Sequence, residues 1–276
     1  MVNIKSETNK KFTVLLSVYH KEQANYLNDA LESIWTQQTL KPSQIVLVED
    51  GPLPPPLYNI IANWKSILKS KLTVVSLPNN IGLAAALNIG IQYCKHNLIA
   101  RMDTDDLSLP ERFEKQISFM TMHPEVAAAS GQVEEWDEDF SEKLSTRSLP
   151  QTPQLLALFA IRRSPLSHPA VIFRKEIIEK VGGYPELQRA QDYGLWALLL
   201  TRGFLLANLP DTLVKMRTGT ALLQRRGLKY FMHEYRLLSY QRQIGFLSTK
   251  NYFINLCLRF FSRLPLIQRI IYRTLK

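Results

Sequence analysis

Cysteine is scarce in this chain. Only Cys94 and Cys257 occur among 276 residues. Two thiols cannot build the disulfide framework of a small secreted domain. No apolar run approaches the ~18 residues that a membrane-crossing helix needs. The first eleven residues are polar and lysine-bearing and show no signal-peptide pattern. These absences point to a reducing, cytoplasmic compartment. Internal repeats and low-complexity segments are also missing. Acid is nearly absent from one end: beyond residue 211, 13 basic residues face the single acid Glu234.

Apolar residues make up 46% of the chain and charged residues 21%, which excludes wholesale disorder. The length suffices for one large domain or two small ones with a real core. Charge divides the chain. Residues 1–150 carry 14 Lys/Arg against 18 Asp/Glu, and residues 151–276 carry 20 against 6. The first part can present a carboxylate site. The second suits an anionic surface, either membrane or nucleic acid.

Short apolar runs alternate with helical periodicity. Phe12–Tyr19, Ile45–Val48, Leu72–Leu77 and Leu98–Met102 read as strands. Asn25–Gln38, Tyr58–Lys69 and Ala84–Cys94 read as the helices between them. This alternation predicts an α/β fold with a parallel, doubly wound sheet. Ligands bind such sheets at the carboxyl ends of the strands. Polar residues gather at those ends: Ser17 and Tyr19, then Glu49 and Asp50, then Asn79, Asn80 and Gly82, then Asp103, Asp105 and Asp106. Ser108 to Glu111 reads as a capping box opening a helix that runs to about His123. Val126–Trp136 reads as a pair of strands, and 137–153 as a polar loop.

The run Asp103-Thr104-Asp105-Asp106 places two carboxylates at i and i+2 on a tight turn. A hard cation such as Mg²⁺ takes a few oxygen ligands of this kind and completes its shell with substrate phosphates. Held so, it neutralises a departing diphosphate.

Several motifs together carry a resemblance. They are Leu15-Leu16-Ser17-Val18-Tyr19, Val48-Glu49-Asp50-Gly51, Asn79-Asn80-Ile81-Gly82-Leu83 and Ala100-Arg101-Met102-Asp103-Thr104-Asp105-Asp106. Pro110–Gln116, Ser167-His168-Pro169-Ala170-Val171, Gly182-Gly183-Tyr184 and Gln191-Asp192-Tyr193-Gly194-Leu195-Trp196 continue it. Over roughly residues 12–230 the chain resembles glycosyltransferase family 2, and most of all its bacterial members that build exopolysaccharide, capsule and lipopolysaccharide.

The resemblance implies the GT-A fold of nucleotide-diphospho-sugar transferases, a Rossmann-like, mostly parallel sheet flanked by helices. It implies a catalytic domain over 1–215, with a nucleotide-binding part at about 12–106 and an acceptor part at about 107–215. A basic helical extension would occupy 216–276. The activity implied is inverting transfer of a sugar from a nucleotide-diphosphate donor, a UDP-sugar being favoured, with Mg²⁺ or Mn²⁺ bound. The acceptor would be a glycan or a lipid-linked glycan at the inner face of the cell membrane. Ser17, Tyr19, Glu22, Asp50, Asn80, Gly82, Asn88, Arg101 and Asp103 map to donor binding, and Asp103 and Asp105 to the metal. Asp192 maps to the base that takes the acceptor's proton. The family usually writes Glu-Asp there, and this chain has Gln191-Asp192. His168, Gln191, Trp196, Arg217, Arg225 and Arg226 map to acceptor or diphosphate.

Two other readings compete. A sugar nucleotidyltransferase would carry a glycine-rich, arginine-bearing loop after the first strand, where this chain has Ser17-Val18-Tyr19-His20-Lys21. A catalytically inactive relative with a scaffold role is raised by Gln191, against intact Asp103, Asp105 and Asp192. Nucleic-acid binding is disfavoured, because Tyr230, Phe231, Tyr235, Tyr240 and Phe246 are spaced like helix faces. The tail from Asn251 to Lys276 reads as amphipathic, with a helix from near Pro265 suited to the bilayer interface.

Overall fold

The computed structural model describes residues 11–218 and 228–263. Nine strands form one sheet in the order β3-β2-β1-β4-β8-β6-β9-β5, with β7 paired to β6. The strands are β1 (Phe12–Val18), β2 (Gln44–Glu49), β3 (Leu72–Ser76), β4 (Leu98–Arg101), β5 (Leu107–Ser108), β6 (Val126–Trp136), β7 (Lys143–Arg147), β8 (Ile172–Arg174) and β9 (Leu205–Arg217). The helices are α1 (Ala24–Trp35), α2 (Pro55–Leu68), α3 (Leu83–Tyr93), α4 (Arg112–Met122), α5 (Pro153–Ala160), α6 (Lys175–Lys180), α7 (Gln191–Thr201), α8 (Leu228–Gln243) and α9 (Thr249–Ser262).

The first four strands are parallel, as the alternating pattern predicts. Both faces of β1 are buried, which is why it reads as a continuous apolar run. Val14, Leu16 and Val18 face a core shared with α1, α2 and α4. Leu15 faces the other core, with Leu87 and Ile91 of α3 and Leu195, Trp196 and Leu199 of α7. From β1 the chain steps outward to β2 and β3, then returns to the opposite side of β1 as β4. That reversal opens a crevice at the carboxyl ends of β1 and β4, where Ser17, Tyr19 and the Asp103–Asp106 turn stand.

Beyond β4 the sheet is mixed, which the strand-helix alternation does not foretell. β8 runs antiparallel to β4 and β6, while β6 and β9 are parallel. Val126–Trp136 is one strand and not two. Gly131 stands in it because a side chain there would meet Leu213 Cδ1 of β9 at 2.4 Å. Residues 137–153 are not all loop. Lys143–Arg147 forms β7, tied to β6 by Lys143–Glu134 and Arg147–Glu135 ion pairs. The Ser108–Glu111 capping box does not form. Ser108 lies in β5, its N–H donating to Ser33 Oγ at 3.0 Å, and α4 begins at Arg112 with no side-chain cap.

The boundary expected at 215 falls inside β9, which continues to Arg217. Helices α8 and α9 pack against each other and on the rest of the chain. Asn255 of α9 accepts from Arg162 and donates to the Ile161 carbonyl, at 2.9 Å each. Arg259 and Arg263 are therefore not a free basic stripe: both pair with Glu234 of α8. The helix expected from near Pro265, like Arg225 and Arg226, lies outside the described residues.

Candidate active site

Consecutive strand ends build a recess of about 320 Å³, lined by Ser17, Tyr19, Glu22, Asp50, Asn80, Gly82, Asp103 and Asp105 among others. The sequence-predicted donor residues thus converge, with two exceptions. Asn88 faces away. Its amide brackets the Tyr184 backbone, accepting from the N–H at 2.7 Å and donating to the carbonyl at 2.9 Å. Arg101 is buried beneath the recess and acts through Asp103, which takes its guanidinium in a two-pronged pair. Burial opposes the charge of Arg101, but the Asp103 carboxylate more than offsets this and holds the guanidinium above its ordinary value.

Asp50 lines the recess, yet its carboxylate is already engaged. Oδ1 accepts from the Ile81 N–H at 2.7 Å and Oδ2 from the Gly82 N–H at 3.1 Å. It fixes the Asn80-Ile81-Gly82 turn and, with lone pairs to spare on both oxygens, still lines the recess. Asn80 answers by donating to the Asp50 carbonyl at 3.1 Å. The close approach requires Gly51, whose φ is +87° and whose added Cβ would stand 2.6 Å from Asn80 N.

Asp103, Asp105 and Asp106 each place an oxygen within 4.8 Å of the others. Asp106, absent from the predicted metal set, joins it here. Asp105 is pushed up to about 7, first by burial, then by the Asp103 and Glu22 carboxylates. Burial also raises Asp106 well above its ordinary value, with Asp105 and Asp103 adding to it. One oxygen of Asp106, Oδ2, is buried with no hydrogen-bond partner. Crowded, desolvated carboxylates with a spare oxygen fit a hard divalent cation, which would relieve their mutual repulsion.

A second cleft of about 610 Å³ meets the first at Leu83 and Asp103. His168, Gln191, Asp192 and Arg217 line it together. Asp192 lies in the first turn of α7 and not at its cap. Ala190 holds the cap position in a left-handed conformation, φ +57°, a strained state for a non-glycine residue. Burial raises the Asp192 carboxyl above its ordinary value. His168 Nε2 pairs with Tyr184 OH at 2.9 Å. Burial, then Arg101, lowers the His168 pKa far enough to keep its imidazole neutral. Trp196 does not reach the cleft. It is fully buried, edge-on to His168.

Arg217 arrives from the far end of β9. Its N–H donates to Asp106 Oδ1 at 2.8 Å and its Nε to the Asp105 carbonyl at 3.0 Å. The guanidinium stacks on Tyr26 at 3.6 Å and Phe140 at 4.2 Å. Residues not foreseen also line the cleft, notably Arg147, Arg189 and Tyr230. Their only signal in the sequence is their position: Arg189 stands two residues before Gln191, and Tyr230 lies in the first turn of α8.

Comparison with known proteins agrees with this geometry. The model of the family described as "Glycosyl transferase family 2" matches residues 13–182. The amylovoran biosynthesis glycosyltransferase AmsE of Erwinia amylovora is 42% identical over 247 residues, 88% of this chain and 91% of that protein. An Escherichia coli UDP-Gal:alpha-D-GlcNAc-diphosphoundecaprenol beta-1,3-galactosyltransferase is 34% identical over 260 residues, 94% of this chain and 93% of that one. The fold is similar to that of the mannosyltransferase PcManGT from Pyrobaculum calidifontis, solved with GDP-Man and Mn²⁺. The TM-score is 0.63 at 17% identity, over 89% of this chain and 68% of that one. S. aureus TarS 1–349 in complex with UDP-GlcNAc gives a TM-score of 0.62 at 17% identity, over 83% and 66%. These likenesses show the GT-A fold.

Proposed function

The chain belongs to glycosyltransferase family 2, and from that premise we propose that it moves a hexose from a UDP-sugar to a lipid-carried glycan. The transfer inverts the anomeric carbon, depends on Mg²⁺ or Mn²⁺, and serves the synthesis of a cell-surface polysaccharide. The observation that carries this reading is the meeting of the two clefts at Asp103, with the carboxylate cluster in one and Asp192 in the other. The names of the bacterial relatives support the donor, the lipid-linked acceptor and the pathway class.

Asp103, Asp105 and Asp106 would hold the cation, which supplies neutralisation of the leaving diphosphate. Tyr19 and Ser17 flank the donor recess, and the Asp50-braced turn presents the start of α3 to it. Asp192 accepts the proton of the acceptor hydroxyl as that oxygen bonds to the anomeric carbon. The bond from that carbon to the diphosphate oxygen breaks, and its electron pair leaves with the diphosphate. Burial, with a smaller contribution from the Asp103 carboxylate, makes Asp192 a stronger base than an exposed carboxylate. Gln191 in place of the family's Glu is therefore compatible with activity.

The protein acts at a membrane surface in this reading. Among the described residues no helix is long and apolar enough to cross a membrane. The outer face of α9 instead exposes Phe253, Cys257, Leu258 and Phe261, as an interfacial helix would.

The test is transfer from a panel of UDP-sugars to a sugar on a diphosphoryl lipid, with Mn²⁺, Mg²⁺ or EDTA. The expected product from an α-linked donor is β-linked and forms only with the cation. An α-linked product rejects inversion, and undiminished transfer in EDTA rejects the metal. Sedimentation with anionic vesicles at low salt, released at high salt, checks the surface attachment. Equal recovery in the supernatant with neutral and anionic vesicles rejects its electrostatic part.

A further inference from the structure

The acceptor cleft does not end at Asp192. It opens into a further recess of about 210 Å³ that shares Arg189, Ala190 and Tyr230 with it and adds Arg163, His233 and Arg259. The recess contains one acid, Glu234, and that carboxylate is already paired twice, with Arg259 at 2.7 Å and Arg263 at 2.8 Å. Arg163 and Arg189 are exposed. Among the described residues neither has a carboxylate partner. Arg189 rests over the Tyr230 ring, 5.7 Å from its centroid. The Nδ1 of His233 is buried with no hydrogen-bond partner. Unpaired arginine forks beside a half-enclosed space are suited to phosphate oxygens, which they grip two at a time.

The helix that supplies Arg259 to this recess turns its opposite face outward, where Phe253, Leu258 and Phe261 are more than half exposed. Three chemistries therefore follow one another across the surface: a half-buried carboxylate base, a cationic recess, and an apolar helix face. A lipid-linked acceptor has the same order: a sugar hydroxyl, a diphosphate, and a hydrocarbon chain. We propose that the recess binds the diphosphate of such an acceptor, with Arg163 and Arg189 holding its oxygens and α9 lying along the lipid. This rests on the reading of the neighbouring cleft as the acceptor site.

The probe is geranyl diphosphate, titrated calorimetrically into the full chain in EDTA without nucleotide. The wild-type protein is expected to bind it, and Arg163→Ala/Arg189→Ala to bind at least tenfold more weakly. Asp105→Asn is expected to bind as wild type does, since the donor recess is not involved. Inorganic pyrophosphate, lacking the chain, is expected to bind at least tenfold more weakly than the geranyl ester. Both arginines are on the surface, and the charge-preserving pair Arg163→Lys/Arg189→Lys should retain most of the binding, which separates lost charge from lost fold. No binding by wild type, equal binding by the alanine pair, or loss in Asp105→Asn overturns the assignment. Equal affinity for pyrophosphate overturns its lipid part. In turnover, the alanine pair should raise KM tenfold or more for a diphosphoryl-lipid acceptor and leave KM unchanged for the same sugar as an alkyl glycoside. Equal rises for both acceptors overturn the proposal. A protein that binds geranyl diphosphate through these arginines but transfers no sugar would refute the proposed function and leave the recess standing.

Discussion

The recess proposed for the donor and the cleft proposed for the acceptor share Asp103 and are otherwise built on different plans. The recess is made from successive strand ends of a parallel sheet, so its residues come in chain order within about ninety positions, from Ser17 to Asp105. The cleft collects Arg147, His168, Asp192, Arg217 and Tyr230 from a hairpin, a short turn, a helix start, a strand end and a packed helix. Their charges differ as well. Carboxylates crowd the recess until burial and repulsion raise Asp105 to about 7, whereas arginines line the cleft around the half-buried Asp192. A parallel sheet repeats one solution to ligand binding at each strand end, and each repeat leaves a short motif. The acceptor side has no such repeat, and its residues are adjacent only after folding.

Four substitutions break or sharpen that contrast. The largest effect is expected on the donor side. Asp105→Ala should lower cation-dependent turnover by about 10³-fold or more, because a bound cation is worth several kcal/mol at the leaving group. Nucleotide-diphosphate affinity should become indifferent to EDTA in the variant. Affinity indifferent to EDTA in both proteins would remove the metal from the account.

Asp192→Asn follows, with a loss of at least ~10² in kcat and unchanged donor affinity, since a base acts on the acceptor. Its raised carboxyl has a pH consequence. Activity in the wild type should fall as pH drops through a value above the ordinary carboxylate range of about 4, because the protonated form cannot take a proton. Donor-side ligand binding should not share that limb. A wild-type rate in Asp192→Asn would move the base elsewhere in the cleft.

Asp50→Ala should act through structure. It strands the Ile81 and Gly82 N–H groups that the carboxylate now accepts, at a cost of about 1–3 kcal/mol. Denaturant unfolding should report that loss, and KM for the donor should rise while KM for the acceptor stays put. Equal rises in both would mean that the two regions are not separable.

The smallest effect is expected for Gln191→Glu, within about tenfold in kcat. A second carboxylate beside Asp192 should raise its pKa and shift the acid limb upward. A larger gain would show that the missing acid matters more than burial does.

Acid stability of the cation-free protein follows from Asp105 by the same reasoning. Its folded value is raised, so the folded state holds a proton that the unfolded chain releases near pH 4. That contribution to stability is present at low pH and is lost as pH rises toward about 7. In EDTA the difference in Tm between wild type and Asp105→Asn should change across that window, and it should level off above it.

Much of the donor half was legible before folding. Runs such as Phe12–Val18 must be buried on both faces, and helices between them force parallel strands, so the polar residues at Ser17, Asp50, Asn80 and Asp103 had to share one edge. The error there was of direction, not place: Asn88 sits six residues past Gly82 but points at Tyr184. No periodicity reports which partner a side chain will choose. Further on, Val126–Trp136 read as a pair of strands and proved to be one, in which Gly131 leaves room for Leu213 of β9. Ser108 and Glu111 had the spacing of a cap, but Ser108 was taken into a strand.

The sequence by itself determined the parallel half of the sheet, the acidic turn after β4 and the basic character of the C-terminal helices, since each follows from composition or periodicity within a few turns of chain. Only the tertiary structure decided that Asp106 joins the carboxylate cluster and that Arg217 reaches it from more than a hundred residues away. It also decided that Glu234 neutralises Arg259 and Arg263, while Arg163 and Arg189 remain without a carboxylate partner among the described residues. Charge counts are additive along a chain, but the pairing of charges depends on distances that only packing sets.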